Sequence, residues 1–204
     1  MLKLTGLKCE YRENPVGIDE PHPRISWQLE SENRCILQTA YQIQVSNEPD
    51  FLHTIWDTGI IKSTQSIHVP YDGPQLQPRT RYYFRVRVQD NGGNDSGWSD
   101  MSFWETGLLE TAAWTARWIK PATAGKPMKE ECPMLRKAFV VKGKVRRARI
   151  YATALGLYEL YMNGAKVGDQ LFTPGWTNYR KRLQYQTYDV TDRLRLGTNA
   201  IGAV

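Results

Sequence analysis

The sequence has few of the residues that build metal sites and disulfide frameworks. Its 204 residues include 3 Cys and 3 His. Cys9, Cys35 and Cys132 lie far apart without CxxC spacing, which argues against a zinc site and against a disulfide framework. The histidines are isolated from one another and from cysteine, so they indicate neither a catalytic triad nor a metal site. We therefore predict no metal and no cofactor.

Long apolar segments are also absent. No apolar run reaches the roughly 18 residues of a membrane-spanning helix, so no membrane span is predicted. Residues 1–14 lack the apolar segment and the small-residue cleavage site of a secretory signal. Gly92-Gly93 lacks the spacing of a phosphate-binding loop. A cytoplasmic and a periplasmic location both stay open.

Positive charge is in excess but dispersed. Lys and Arg number 27 against 21 Asp and Glu, which gives a net charge of +6. The densest stretches are 142–149 (KGKVRRAR) and 179–182 (YRKR), and no nucleic-acid-binding motif accompanies them. We interpret them as solvated sheet faces and predict no nucleic-acid partner.

Residues 1–106 show the alternation of antiparallel strands. The clearest strands are 24–29, 39–46 and 81–89, where apolar and polar side chains alternate with a period of two. Turn residues separate these runs. Shorter candidates are 4–10, 55–58, 66–69 and 99–106. About seven short strands in roughly 100 residues are typical of a β-sandwich.

Two aromatic residues refine this prediction. Tyr82 begins the strongest strand after a Pro-containing corner, as in the tyrosine corner, where the hydroxyl bonds to nearby backbone. Trp27 lies on an early strand at an inward position. With the stretch 97–102, these features resemble a fibronectin type III domain of the immunoglobulin-like class. The cysteine positions do not match an antibody-type disulfide.

Residues 107–134 change in character, and we interpret them as a linker that docks. Residues 114–119 suggest a short helix or strand that covers an apolar patch, and 123–131 form a polar loop. From 135 the strand pattern returns, and Asn163-Gly164 predicts a tight hairpin turn. Further strands are predicted at 135–141, 147–153, 156–162, 184–188 and 199–204. Residues 191–196 suggest a helical turn, capped by Thr191 or Asp189.

The last residues, 200–204, have the pattern of a strand. A sheet interrupted there would expose unpaired N–H and C=O groups. We therefore expect a fragment of a longer protein, with this strand at or near a sheet edge. An oligomer through that edge is one possible consequence.

The second half carries a more specific resemblance. Its motifs are 152–161 (ATALGLYELY), 163–164 (NG), 167–169 (VGD), 173–182 (TPGWTNYRKR), 185–191 (YQTYDVT) and 197–201 (GTNAI). Together they resemble the N-terminal β-sandwich of bacterial α-L-rhamnosidases, glycoside hydrolase family 78. The resemblance implies an all-β chain: a fibronectin-like sandwich at 1–106, the linker at 107–134, and a truncated jelly-roll-like sandwich at 135–204.

The resemblance also implies a chemistry. The family releases terminal α-L-rhamnose with inversion, using a carboxylic acid and a carboxylate in a downstream (α/α)₆ barrel. Such a pair stands about 6.5–9.5 Å apart to admit a water molecule. No residue here matches that barrel, so no catalytic residue is predicted. The implied partners are the downstream barrel and a rhamnose-containing glycan.

One loop is the best candidate for a sugar-contacting surface. Trp176 and Tyr179 could stack on the C–H face of a sugar, with Asn178 and Arg180 beside them as hydrogen-bonding groups. The alternative is that Trp176 packs under the loop or against the barrel. Trp98 has the same two interpretations. The carboxylates of 105–192 are interpreted as turn, cap or surface residues.

Three hypotheses follow. The chain is the accessory N-terminal region of an α-L-rhamnosidase and inactive by itself, or a stand-alone carbohydrate-binding module, or a fibronectin-like interaction protein. The stretches 173–179 and 185–191 argue against the third, because generic fibronectin domains lack them.

Overall fold

The computed structural model describes residues 2–121 and 132–204. The chain divides after Trp114 into two compact units. Strands dominate both units, and the helical elements of the described residues are two single 3₁₀ turns, Thr111–Ala113 and Thr191–Arg193. The prediction of an all-β chain is confirmed. The polar loop predicted at 123–131 lies outside the described residues.

The first unit contains nine strands in two sheets. They are β1 (Leu2–Cys9), β2 (Val16–Ile18), β3 (Arg24–Ser31), β4 (Gln38–Ser46), β5 (Thr54–Asp57), β6 (Ile61–Lys62), β7 (Val69–Pro70), β8 (Arg81–Asp90) and β9 (Ser102–Thr106). One sheet has the order β1-β3-β7. The other has the order β2-β9-β8-β4-β5, with β6 also paired to β4. All pairs are antiparallel except β2 with β9.

The core between these sheets follows the alternation in the sequence. Along β8 every second residue is buried, beginning at Tyr82. Trp27 of β3 and Trp104 of β9 are among the largest fully buried side chains. Both sheets contribute to one apolar cluster, so the sandwich prediction is confirmed.

The tyrosine corner is also present. The Tyr82 hydroxyl accepts a hydrogen bond from the Gln77 backbone N–H at 2.7 Å. Its ring stacks on Trp104, with 5.4 Å between centroids. Burial raises the pKa of Tyr82, so the hydroxyl stays protonated and its role is structural.

Two details of the first unit differ from the prediction. Of the strand predicted at 66–69, only Val69 lies in β7. His68 has a φ of 55° and its N–H binds the Ser26 hydroxyl instead of a sheet partner. The two- and three-residue strands β6 and β2 were too short to predict from periodicity.

Trp98 packs against arginine side chains. The guanidinium carbon of Arg85 lies 4.5 Å from the Trp98 ring centroid, and that of Arg87 lies 5.0 Å from it. Arg85 also lies 4.4 Å from the Phe51 ring. These distances are within the range of cation–π contacts. These contacts favour the interpretation that Trp98 packs against other side chains of the protein.

Glu10 provides a pH-dependent contact in the first unit. Its carboxylate accepts hydrogen bonds from the Arg24 backbone and guanidinium at 2.7–3.0 Å. The side-chain hydrogen bond from Arg24 is the largest of the effects that hold the pKa of Glu10 below its usual value. A depressed pKa stabilises the fold above the unfolded-state pKa, and this stability is lost as the pH falls through the folded-state pKa.

We therefore expect Glu10→Gln to destabilise the chain more at pH 7 than at pH 3. Urea unfolding at both pH values measures this. The difference in free energy of unfolding between the wild type and the variant should be smaller at pH 3. Glu48→Gln, at an exposed position, is the control, and its free energy of unfolding should equal that of the wild type at both pH values. An equal difference for Glu10→Gln at both pH values would contradict the assignment.

The second unit contains six strands in two sheets. They are β10 (Leu135–Val141), β11 (Arg149–Ala152), β12 (Leu160–Met162), β13 (Ala165–Lys166), β14 (Gln186–Asp189) and β15 (Gly197–Ala203). One sheet has the order β10-β15-β12-β13, and β11 pairs with β14 in the other. Six buried residues form the centre of the core: Tyr158, Leu160, Met162, Val167, Tyr188 and Val190.

The last strand lies near a sheet edge, as predicted, but it is not the edge strand itself. β15 lies between β10 and β12 and is hydrogen-bonded on both sides. Val204 continues this pairing through two backbone hydrogen bonds with Glu159. Because Ile201, Gly202 and Ala203 are paired on both sides, this part of the strand offers no free edge for an oligomer.

The predicted Asn163-Gly164 turn joins β12 to β13. Asn163 and Gly164 have φ values of 53° and 88°, as a type I′ hairpin turn requires. The Asn163 amide also binds Asn199 at 2.8 Å and accepts from the Ala200 N–H at 2.9 Å. The prediction is confirmed, and Asn163 additionally links the turn to β15.

The helical predictions are only partly correct. A 3₁₀ turn covers Thr191–Arg193, but its N-cap residue is Val190, without a side-chain cap. Asp189 instead accepts from the Thr191 N–H at 3.0 Å. Residues 115–119 form neither helix nor strand, and Trp118 is exposed. The docking role and the exact bounds of the linker stay predictions.

Candidate functional site

The loop between β13 and β14 brings the four predicted sugar-contacting residues together. Trp176 is 90% exposed, and its ring centroid lies 6.4 Å from that of Tyr179. Asn178 accepts a hydrogen bond from the Arg180 N–H at 3.1 Å through its side-chain oxygen. Arg180 is exposed beside them. The four residues therefore occupy one exposed turn.

Their hydrogen-bonding groups are not equally available. The Tyr179 hydroxyl accepts from the Gly156 N–H at 3.1 Å, and the Asn178 oxygen is used within the turn. Trp176 does not pack under the loop, because nearly all of its surface is open. The open Trp176 ring suits stacking on a sugar, and the sugar-contact hypothesis stays a prediction.

The start of the loop is clamped to the strands beneath it. Thr173 and Tyr158 form a backbone bridge in which the Tyr158 N–H donates to the Thr173 carbonyl at 2.9 Å. The Thr173 hydroxyl donates to the Tyr158 carbonyl at 2.7 Å. Gln186 of β14 donates to the Pro174 carbonyl at 2.9 Å. The base of the Trp176 turn is thus fixed by backbone and side-chain bonds.

A buried tyrosine pair supports this clamp. The Tyr158 hydroxyl lies 2.8 Å from the Gln186 side-chain oxygen and 3.2 Å from the Tyr188 hydroxyl. Burial, followed by the hydrogen bond with Tyr188, raises the pKa of Tyr158 well above its usual value. The hydroxyl therefore stays protonated at neutral pH and is unsuited to acid–base catalysis. The motif YQTYDVT supplies Gln186 and Tyr188, so its role is to support the loop.

The carboxylates of this part of the chain are paired or exposed. Glu105 is buried and lies 3.1 Å from Arg81, and Asp189 lies 2.7 Å from Arg149. Glu159 binds Lys166, and this hydrogen bond is the main cause of its lowered pKa. Three others are exposed: Glu110, Asp169 and Asp192. Glu130 and Glu131 lie outside the described residues.

Neither a metal site nor a membrane span is found in the described residues. There, His, Cys, Asp and Glu form no group of three that could hold a metal ion. The same residues contain no helix with the length and apolarity needed to cross a membrane. The three cysteines are free thiols, with Cys9 buried and the other two exposed.

Sequence reasoning missed the apolar residues around the loop. A strand is predicted at 156–162, but β12 begins only at Leu160. Before it Tyr158 forms an isolated bridge to Thr173, and Leu157 beside it is exposed. The exposed apolar side chains around the loop are Leu155, Leu157, Leu171 and Phe172. The stretch ATALGLY contains Leu155 and Leu157. The sequence alone does not show that these side chains are exposed, because this depends on the non-local backbone partner of Tyr158.

Family models and known relatives match both units. Residues 4–110 match the model described as "Rha78A-like, N-terminal immunoglobulin domain". The chain belongs to this Rha78A-like family. Residues 143–204 match a second model, "Alpha-L-rhamnosidase N-terminal domain". The Rha78A-like chain thus carries two consecutive N-terminal domain types, and the resemblance inferred from the motifs is confirmed.

Curated relatives are much longer than this Rha78A-like chain. The α-L-rhamnosidase of Alteromonas sp. (strain LOR) is 38% identical over 219 aligned residues, which cover 99% of this chain and 23% of that protein. An α-L-rhamnosidase of Formosa agariphila is 36% identical over 93% of this chain and 22% of its own length. The chain therefore spans less than a quarter of the length of these relatives and matches their N-terminal region.

Solved structures give the same relationship. The α-L-rhamnosidase from Dictyoglumus thermophilum superposes with a TM-score of 0.88 at 36% identity, over 98% of this chain and 24% of that one. The Streptomyces avermitilis α-L-rhamnosidase, solved with L-rhamnose, gives a TM-score of 0.90 at 27% identity, over 100% of this chain and 36% of that one.

Proposed function

We propose that the chain is the non-catalytic N-terminal region of an α-L-rhamnosidase. The observation that carries the proposal is the alignment of almost the whole chain with the N-terminal region of longer α-L-rhamnosidases. In this proposal the downstream (α/α)₆ barrel of the same polypeptide hydrolyses a rhamnose-containing glycan, and the two β-units support that barrel.

The carboxylates near the candidate loop favour a non-catalytic role for this chain. Inverting hydrolysis needs an acid and a base on opposite sides of the glycosidic bond, about 6.5–9.5 Å apart. Glu159 is held by Lys166 and Tyr161, and Asp189 is held by Arg149. The hydrogen bonds from Lys166 and Tyr161 lower the pKa of Glu159, which disfavours the role of general acid for that residue.

We expect the purified chain to release no chromophore from an aryl α-L-rhamnoside above the buffer rate. The physical reason is that the acid and the base belong to the downstream barrel. A spectrophotometric assay at high protein concentration measures this, with a full-length α-L-rhamnosidase as the positive control. Saturable release by the purified chain would contradict the proposal.

A second candidate function is carbohydrate binding by the chain itself. The 90% exposure of Trp176 next to Arg180 favours it. Titration with L-rhamnose to tens of millimolar, followed by calorimetry and tryptophan fluorescence, separates the two functions. A saturable signal that Trp176→Ala removes would support binding by Trp176, Asn178, Tyr179 and Arg180. The generic interaction protein is disfavoured, because residues 143–204 match a rhamnosidase domain.

A further inference from the structure

An exposed apolar surface surrounds the candidate loop. Its members are large side chains that are between 59% and 90% exposed: Leu155, Leu157, Leu171, Phe172 and Trp176. We call this set the Trp176 face. Single exposed apolar residues are ordinary on protein surfaces, but a group of this kind marks an interaction site.

Backbone contacts show that the members of the Trp176 face are neighbours. In the antiparallel bridge between Tyr158 and Thr173, Leu157 lies on one side of the bridge and Phe172 on the other, so the two are diagonal neighbours across it. The Gly156 N–H, between Leu155 and Leu157, binds the Tyr179 hydroxyl, and the Tyr179 ring adjoins Trp176.

The outward orientation of these side chains is fixed. Tyr158 and Thr173 are both buried and hydrogen-bonded to each other through backbone and side chain. Beside these fixed residues, Leu157 is 59% exposed and Phe172, whose backbone has a φ of 56°, is 77% exposed. The exposure of the Trp176 face therefore belongs to the folded surface and does not come from a frayed segment.

The composition of the face favours a protein partner over a sugar. A sugar ring covers about one aromatic ring and needs polar groups around it. Three of the five members are leucines, and they extend over two separate chain segments. Exposed Arg180, Lys181 and Arg182 lie in the same loop, after Trp176. The complementary surface is thus apolar at its centre and acidic at its rim.

We propose that the Trp176 face docks on the catalytic portion of the same α-L-rhamnosidase polypeptide. This inference rests on the proposed function. The relatives that align with almost all of this chain contain more than three times as much further sequence, because the aligned part is 22–23% of their length. That remaining polypeptide is the partner present in every molecule at high effective concentration.

The test uses a chimera in which this chain replaces the aligned N-terminal region of the Alteromonas enzyme. Leu157→Ser with Phe172→Ser removes the centre of the face. Leu196→Ser is the matched control, because Leu196 is 73% exposed and precedes β15 at the end away from Glu159. A second variant, Arg180→Glu with Lys181→Glu, reverses the rim charge without touching the apolar residues.

In the isolated chain all three variants should keep the thermal midpoint, because the changed side chains are exposed. In the chimera, the double serine and the charge-reversal variants should lower the midpoint by about 5 °C or more and increase proteolysis at the junction. The Leu196→Ser chimera should match the unmodified chimera.

Equal behaviour of Leu196→Ser and the double serine variant in the chimera would overturn the docking proposal. So would a saturable L-rhamnose signal of the isolated chain that the double serine variant removes, since the face would then bind sugar. The unmodified chimera distinguishes a failure of the docking proposal from a failure of the proposed function. If it hydrolyses an aryl α-L-rhamnoside like the Alteromonas enzyme, the accessory role stands although the docking surface is wrong.

Discussion

Replacing Trp27 with alanine is expected to lower the free energy of unfolding of the first unit by about 3–5 kcal/mol, the usual cost of deleting a buried Trp. Trp27 is 2% exposed and packs edge-on against Tyr41, with 5.2 Å between ring centroids. Its indole N–H also donates to the Gln38 side-chain oxygen at 2.9 Å in the interior. Since a typical domain is stable by only about 5–15 kcal/mol, this loss is severe.

Trp27→Phe serves as the graded control. It keeps much of the ring volume but leaves the Gln38 oxygen without its donor, which costs about 1–3 kcal/mol. Urea unfolding followed by circular dichroism measures both variants. If the free energy of unfolding of Trp27→Ala lies within about 1 kcal/mol of the wild-type value, Trp27 is not a central core residue of the sandwich.

Gly168→Ala is expected to destabilise the second unit by about 2–4 kcal/mol, from overpacking together with backbone strain. Gly168 has a φ of +75°, and a Cβ atom there would lie 2.7 Å from a ring carbon of Tyr188. The ring cannot move freely, because the Tyr188 hydroxyl lies 3.2 Å from that of buried Tyr158. The substitution therefore strains the same tyrosine pair that supports the Trp176 loop.

Gly197→Ala is the matched control for backbone strain alone. Gly197 has a φ of +87°, but nothing lies within 4 Å of a Cβ atom placed there. We expect a loss of about 1–2 kcal/mol for this variant, the usual cost of the left-handed region. Urea unfolding of both variants measures the difference. Equal losses would show that the Tyr188 ring yields and that Gly168 is needed only for its φ.

Much of the first unit could be predicted from the sequence, because its signals are local. The alternation along β8 identifies the buried face, and the Pro-containing corner before Tyr82 predicts the bond to Gln77. The Asn163-Gly164 turn is likewise specified by two residues that tolerate positive φ. Such features depend on side chains close together in the chain.

The parts that could not be predicted depend on distant partners. Nothing in the local pattern of β15 shows that it lies between β10 and β12, since both contacts are non-local. Asn199 is almost fully buried and binds Asn163 and the backbone of Arg195 and Gly197, whereas the sequence predicts it only as the first residue of a strand. Buried polar groups of this kind appear only once their hydrogen-bond partners are known.

The candidate loop shows the same limit. The sequence placed Trp176, Asn178, Tyr179 and Arg180 together because they are adjacent in the chain. It could not show that the Tyr179 hydroxyl and the Asn178 side-chain oxygen accept hydrogen bonds from the backbone of this chain. It also could not show that the segment 155–157 lies beside this loop, because the bridge between Tyr158 and Thr173 and the bond from Gly156 to Tyr179 connect two separate segments.

The most direct test of the account is the activity of the Alteromonas α-L-rhamnosidase with and without an N-terminal region. We expect the enzyme lacking the part aligned with this chain to lose most of its kcat/KM on an aryl α-L-rhamnoside, because its barrel lacks support. The chimera carrying this chain should recover it. A truncated enzyme as active and as heat-resistant as the full-length protein, or an inactive chimera that is correctly folded, would contradict an accessory role for this chain.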